Sequence, residues 1–219
     1  MSKTIMILLF WFSIIPSLAS QLLGEEILIF PKMDAHPELA KRIQGWIVQL
    51  EQPNSKVATE NLIKIGKIVH SYLHRTLVSS NNLPQKKKIL EIIKQNPCND
   101  CAAPLIKCLE NNQEDPRIRG ESAAALELFP NPEVMAKLPK YAFNRDVRIY
   151  QSAAYTLCQF SSKSAIPYLI QLLKHWDESV VRKAHLRLLE ITKRDRAPLE
   201  FAAWQQWWAD YQDIFEEAK

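Results

Sequence analysis

The side chains with most chemistry to offer in this 219-residue chain are four cysteines and five histidines, and their spacing decides which chemistry. Cys98-Asn99-Asp100-Cys101 is a C-x-x-C step, able to close a disulfide, to cycle between dithiol and disulfide, or to lend two thiolates to a metal. His70 and His74 stand one helical turn apart, as paired metal ligands often do. Cys108 and Cys158 fall at apolar positions of helical pattern, where an unpaired Cys packs as a small core residue.

Each motif lacks something. A thioredoxin-like role wants the C-x-x-C after a strand and at the opening of a helix, whereas a helical stretch precedes this one. Cys101 is not followed by His, which removes the covalent-haem motif, and no second C-x-x-C completes a zinc site. Ser71 stands where a zinc peptidase carries Glu, and no third ligand is near the histidine pair in sequence. His70 and His74 are therefore expected on a solvent-facing side, beside Lys67 and Arg75. Cys98 and Cys101 are expected as a structural disulfide, with free thiols or a redox or metal role as the alternatives. No metal or cofactor is expected. A Gly-rich phosphate loop, a G-x-S-x-G step and an isolated carboxylate pair are all missing from the sequence.

Composition narrows the class. A formal charge of +4 with acids and bases interspersed asks for neither nucleic acid nor an anionic membrane. Residues 1–19 read as a secretory signal peptide. Lys3 gives a charged start, Ile5–Ile15 an apolar run, Pro16 a break, and Ser17-Leu18-Ala19 the small residues of a cleavage site. The run is too short to cross about 30 Å of hydrocarbon, so no stable membrane span is expected after cleavage. The mature chain is expected to be exported, periplasmic or secreted. Paired cysteines suit that setting.

The elements that must position these side chains are helical. Glu26–Phe30 is a short apolar run stopped by Pro31. Helix signals then begin at Asp34–Pro37 and run through Leu39, Ile43, Trp46, Ile47 and Leu50. A long helix is predicted from Ser55 to about Val78, a turn over Asn81–Pro84, and a third amphipathic helix over Gln85–Gln95. Beyond Asp100 the pattern repeats. DPRIRGESAAALELF at 115–129 returns as DVRIYQSAAYTLCQF at 146–160, and more loosely as ESVVRKAHLRLLEIT at 178–192. Each stretch follows a shorter apolar helix, and repeats of this length mark stacked helix pairs. Pro198 then opens a segment with Phe201, Trp204, Trp207, Trp208, Tyr211 and Phe215 on about a third of its circumference.

These units resemble HEAT repeats, and the close in a W-x-x-W-W helix resembles exported bacterial proteins built from them. The resemblance implies an all-α, right-handed α-solenoid of stacked helix pairs. Residues 20–100 would be a degenerate-repeat region, 101–192 the clear repeats, and 193–219 a Trp-rich cap. Arg117 or Arg119, Arg148 and Arg182 would form a ladder with Asp115, Asp146 and Glu178 between repeats. Deoxyhypusine hydroxylase is an enzyme of similar build, but its paired His-Glu ligands are missing here: Gly120 precedes Glu121, and Tyr150-Gln151 and Lys183-Ala184 lack both. The resemblance implies a non-catalytic scaffold of the cell envelope that binds a protein or peptide. Arg119, Tyr150, Gln151, Lys183 and Trp207 are the expected outward contacts. An enzyme or enzyme accessory with thiol chemistry at Cys98 and Cys101, or a chromophore-handling factor, is the alternative.

Overall fold

The computed structural model describes residues 37–194 and 196–215; residues 1–19, expected to be a signal peptide, and the Glu26–Phe30 run lie outside them. Ala35–Lys219 form one compact unit. Among the described residues there are eleven α-helices and no strand. They are α1 (Pro37–Gln49), α2 (Lys56–Ile65), α3 (His70–Ser79), α4 (Leu83–Gln95), α5 (Ala102–Glu110) and α6 (Pro116–Ala125). Then come α7 (Pro132–Ala142), α8 (Val147–Gln159), α9 (Ile166–Leu172), α10 (Glu178–Thr192) and α11 (Phe201–Tyr211).

Local chemistry sets these boundaries. Asn82, Asp115, Asn131, Asp146 and Asp177 each turn a side-chain oxygen back onto a first-turn N–H. Pro84, Pro116, Pro132 and Pro167 occupy first turns, where a missing N–H costs nothing. The turn expected over Asn81–Pro84 accordingly ends sooner, with Leu83 and Pro84 already helical.

The long helix expected from Ser55 to Val78 is broken. Gly66 adopts φ 73°, ψ −139° at the end of α2, a conformation open to glycine, and a 3-10 turn over Gly66–Val69 leads into α3. This break resets which residues of α3 face inward.

The helices stack in two rows. α1, α3, α5, α7, α9 and α11 pack each on the next, as do α2, α4, α6, α8 and α10, and each odd helix also packs on the even one after it. Five helix pairs and a closing helix make an all-α solenoid. One apolar core runs its whole length, from Ile43 to Trp204. Since each helix meets only near neighbours, stability is built pair by pair.

The repeat register is cleaner than the alignment suggested. Asp115, Asp146 and Asp177 cap α6, α8 and α10 at equal steps of 31 residues. On that register Ile118, Ile149 and Val180 are buried, as are Leu126, Leu157 and Leu188. Glu178 is therefore not the third cap, and Leu186, aligned with core positions one residue out of step, is 65% exposed. One residue is about 100° of helix, enough to carry a side chain from core to water.

The ladder is corrected too. Arg117 and Arg148 each fork back onto the Asp that caps their own helix, with Nη2···Oδ2 distances of 2.8 and 2.6 Å. Arg182 reaches only the exposed Glu178, at 3.7 Å. Stacking is held instead by contacts such as Thr156 Oγ1 donating to the Ala123 carbonyl at 2.9 Å.

Candidate functional site

Two places on the solenoid concentrate chemistry. The first lies where α3 meets the start of α5. After the Gly66 break, α3 buries His70 and His74 on one face with Leu73 and Leu77. Both rings are under 5% exposed, which corrects the expectation that they face solvent. That expectation carried the phase of one uninterrupted helix through Gly66.

Opposite them, Asn96-Pro97 ends α4 and a 3-10 turn over Asn99–Cys101 opens α5. Cys98 and Cys101 are joined in a disulfide across this turn, Cα to Cα 5.3 Å. The Cys98 N–H donates to Cys101 Sγ at 3.3 Å, and the Cys101 N–H to the Cys98 carbonyl at 3.1 Å. The motif thus does open a helix, although a helix rather than a strand precedes it.

His74 Nε2 stands 3.2 Å from Cys101 Sγ and 3.6 Å from Cys98 Sγ. Burial, and then the neighbouring His70, push the His74 ring down to about 4, against a smaller opposing pull from Asp100. At neutral pH it is an uncharged imidazole. His70 lies between two backbone carbonyls, Nε2 at 2.7 Å from Asn96 O and Nδ1 at 3.2 Å from Lys67 O. Ligating atoms of His70, Cys98 and Cys101 fall within 4.8 Å of one another. Cys98 is half-buried and Cys101 fully buried, so only one sulfur has a path to solvent.

In the sequence H-x-x-x-H and C-x-x-C stand as two half-motifs, each short of partners. The fold makes each the other's complement. Their matched spacings were the available signal; the intervening helix α4 hid the adjacency.

Cys108 and Cys158 sit in the core as expected, and burial pushes both thiols up to about 12. Neither is a nucleophile at neutral pH.

The second place is a groove of about 460 Å³ between the end of α7, α9 and α11, lined by Phe143, Pro167, Ile170, Phe201 and Trp208 with Lys174 at its edge. The Lys174 ammonium lies 3.9 Å from the centre of the Phe201 ring. Beside it Trp176 is 58% exposed, with its ring edge-on to Phe143 and Tyr150. His175 holds this corner: its Nδ1 accepts from the Asp177 N–H and its Nε2 donates to the Ala142 carbonyl, both at 2.9 Å. Phe143, Lys174 and Trp176 were missed by sequence reasoning. The signal for Phe143 and Trp176 was aromatic residues in the turns after first helices, where the core does not require them.

The outward contacts expected from sequence scatter. Arg119 is buried, 7% exposed, with its Nε donating to the Leu109 carbonyl at 3.0 Å, so its guanidinium does not face out. It satisfies a carbonyl that the end of α5 leaves without a helical partner. The Tyr150 hydroxyl donates to Asp177 Oδ2 at 3.0 Å, placing the ring against Trp176. Gln151 and Lys183 meet at Tyr155 instead, the amide at 3.3 Å from its hydroxyl and the ammonium 4.6 Å from its ring centre. Trp207 is half-buried and stacks on Tyr211, outside the groove, while Trp204 beneath it is buried.

The family model described as HEAT repeats matches residues 102–190. No curated protein matches the chain.

Proposed function

We propose that this chain, whose residues 102–190 match the HEAT-repeat family model, is a non-catalytic interaction module of the cell envelope that seats a protein segment in the Phe143–Trp208 groove. Arrays of HEAT repeats mediate protein–protein contact through the long surfaces their stacking creates. The observation that carries the reading is the groove itself, apolar on its floor and flanked by the exposed Trp176. Exposed aromatic clusters beside a cleft are a recurrent signature of binding.

The charge at its edge selects the occupant. Lys174 lines the groove and the exposed Arg145 follows Phe143 in the same turn, so the segment is one with an apolar anchor and acidic neighbours. Tyr150 buttresses Trp176, its ring edge-on to the indole. Support for the envelope comes from the leader-like order of Lys3, the Ile5–Ile15 run and Ala19, and from the paired Cys98 and Cys101.

A photo-reactive residue at position 176 tests this in envelope and cytosolic fractions. One dominant adduct from the envelope is expected, lost in Lys174→Glu and carrying an acidic, apolar segment at the cross-link. Adducts that are the same from both fractions, or unchanged by Lys174→Glu, would overturn it.

A further inference from the structure

We propose that Cys98, Cys101, His70 and His74 form a zinc site when the disulfide is reduced, so that this corner of the solenoid exchanges a disulfide for a metal. This goes beyond the interaction role and does not depend on it.

Geometry carries the inference. Zinc takes thiolate sulfur at about 2.3 Å and imidazole nitrogen at about 2.0–2.1 Å in a tetrahedron, which puts nitrogen–sulfur edges near 3.5 Å. His74 Nε2 already stands 3.2 and 3.6 Å from the two sulfurs. The sulfurs need to separate to an edge of about 3.8 Å, and the 5.3 Å between their Cα atoms leaves room for that by side-chain rotation. His70 supplies the fourth corner, its ligating atom within 4.8 Å of both sulfurs. A neutral imidazole has one N–H and His70 faces two carbonyls, so one ring nitrogen points a lone pair at an oxygen. Ligation turns that lone pair to the metal and keeps the other N–H on its carbonyl, the arrangement that usually orients a metal-bound histidine.

Charge closes the case. Zn²⁺ with two thiolates and two neutral imidazoles has no net charge, which suits a cluster with both histidines and Cys101 buried. A dithiol reductant, itself oxidised to a disulfide, delivers two electrons and two protons to the Cys98–Cys101 bond. Zinc then displaces the two thiol protons as the sulfur–metal bonds form. A small disulfide oxidant, itself reduced to two thiols, takes the two electrons back by thiol–disulfide exchange; the Cys98–Cys101 bond re-forms and Zn²⁺ is released.

The test titrates the full chain with Co²⁺, a spectroscopic stand-in for zinc, before and after reduction and removal of the reductant. One equivalent is expected to bind the reduced protein, with the intense visible bands of tetrahedral cobalt and thiolate charge transfer in the near ultraviolet. Zn²⁺ should displace it, and the oxidised protein should show neither band. His74→Gln and His70→Gln should each weaken Zn²⁺ affinity at least tenfold. Cys98→Ser, at the half-buried position, should abolish one of the two thiolate contributions without loss of helical signal. Reduced wild-type protein that yields two free thiols but no tetrahedral cobalt spectrum would overturn the proposal. So would unchanged affinity in folded His74→Gln.

Discussion

Gly120 lies directly against the main chain of Arg148: a Cβ built on it would stand 2.3 Å from the Arg148 carbonyl oxygen and 2.9 Å from its carbonyl carbon. The α6–α8 contact at the centre of the stack is thus backbone against backbone, and Gly120 is what permits it. Such a group cannot rotate aside as a long side chain would.

Gly120→Ala therefore sets two effects against each other. Helix propensity favours Ala by about 1 kcal/mol, while overpacking a tight contact costs about 1–3 kcal/mol and more where backbone must move. The clash wins, and Gly120→Ala should lose about 2 kcal/mol by urea unfolding. Gly45→Ala is the control, since nothing lies within 4 Å of its Cβ and it sits mid-helix in α1. It should gain about 0.5–1 kcal/mol. Equal effects at the two positions would refute the account.

How much of this was legible follows from where period and phase survive. Helix existence in α4 to α11 was readable because caps such as Asp115 and Asp146 stand before apolar repeats. The third repeat slipped by one residue because Glu178 follows Asp177, and either acid fits a cap; only burial of Leu188 rather than Leu186 decides it. His70 and His74 were misplaced for a similar reason, since a glycine with positive φ shifts phase without disturbing the apolar count. Arg119 was read outward because no sequence rule says that the Leu109 carbonyl needs a donor. The aromatic groove joins turns and helices from three different units, and adjacency of that kind is a property of the stack.

Arg119 should act on stability rather than on recognition. Arg119→Met leaves the Leu109 carbonyl buried without its donor, a loss of about 1–3 kcal/mol. It also removes the guanidinium 5.9 Å from the Tyr141 ring centre. Chemical unfolding should show the loss, while the cross-link from position 176 persists in the folded fraction. Loss of the cross-link with unaltered stability would place Arg119 on the binding face after all.

Lys86 and Glu114 form an ion pair with side chains only 4% and 9% exposed, linking α4 to the turn before α6. Breaking one side strands the other: Glu114→Gln leaves an ammonium buried beside a weaker acceptor, at a cost of about 3–5 kcal/mol. Replacing both, as Lys86→Met with Glu114→Leu, removes the charge and its desolvation together and should fall within about 1 kcal/mol of wild type. Thermal unfolding of the two variants and wild type checks this. A double variant as unstable as Glu114→Gln would mean the pair itself, rather than the stranded charge, holds the stack.

Acid should unfasten the repeat caps. The side-chain bond from Arg117, and then its backbone N–H, hold the Asp115 carboxyl down at about 2. Arg148 likewise lowers Asp146, and the Ser179 hydroxyl and N–H lower Asp177. Their unfolded value is about 3.9. Between about pH 4 and pH 2 the unfolded chain therefore binds more protons than the folded one, and stability falls as pH falls. The Asp115 contribution is whole above about pH 4 and lost towards pH 2, and those of Asp146 and Asp177 fall in the same direction. Asn also caps but does not titrate and gives up the charged bonds to Arg117 and Arg148, so Asp115→Asn, Asp146→Asn and Asp177→Asn together should lower stability at pH 7 by about what wild type loses from these caps on acidification. They should flatten the fall between pH 4 and pH 2 by up to about three protons' worth of slope. Urea midpoints across this range provide the measurement, and a slope equal to that of wild type would show that the caps do not govern it.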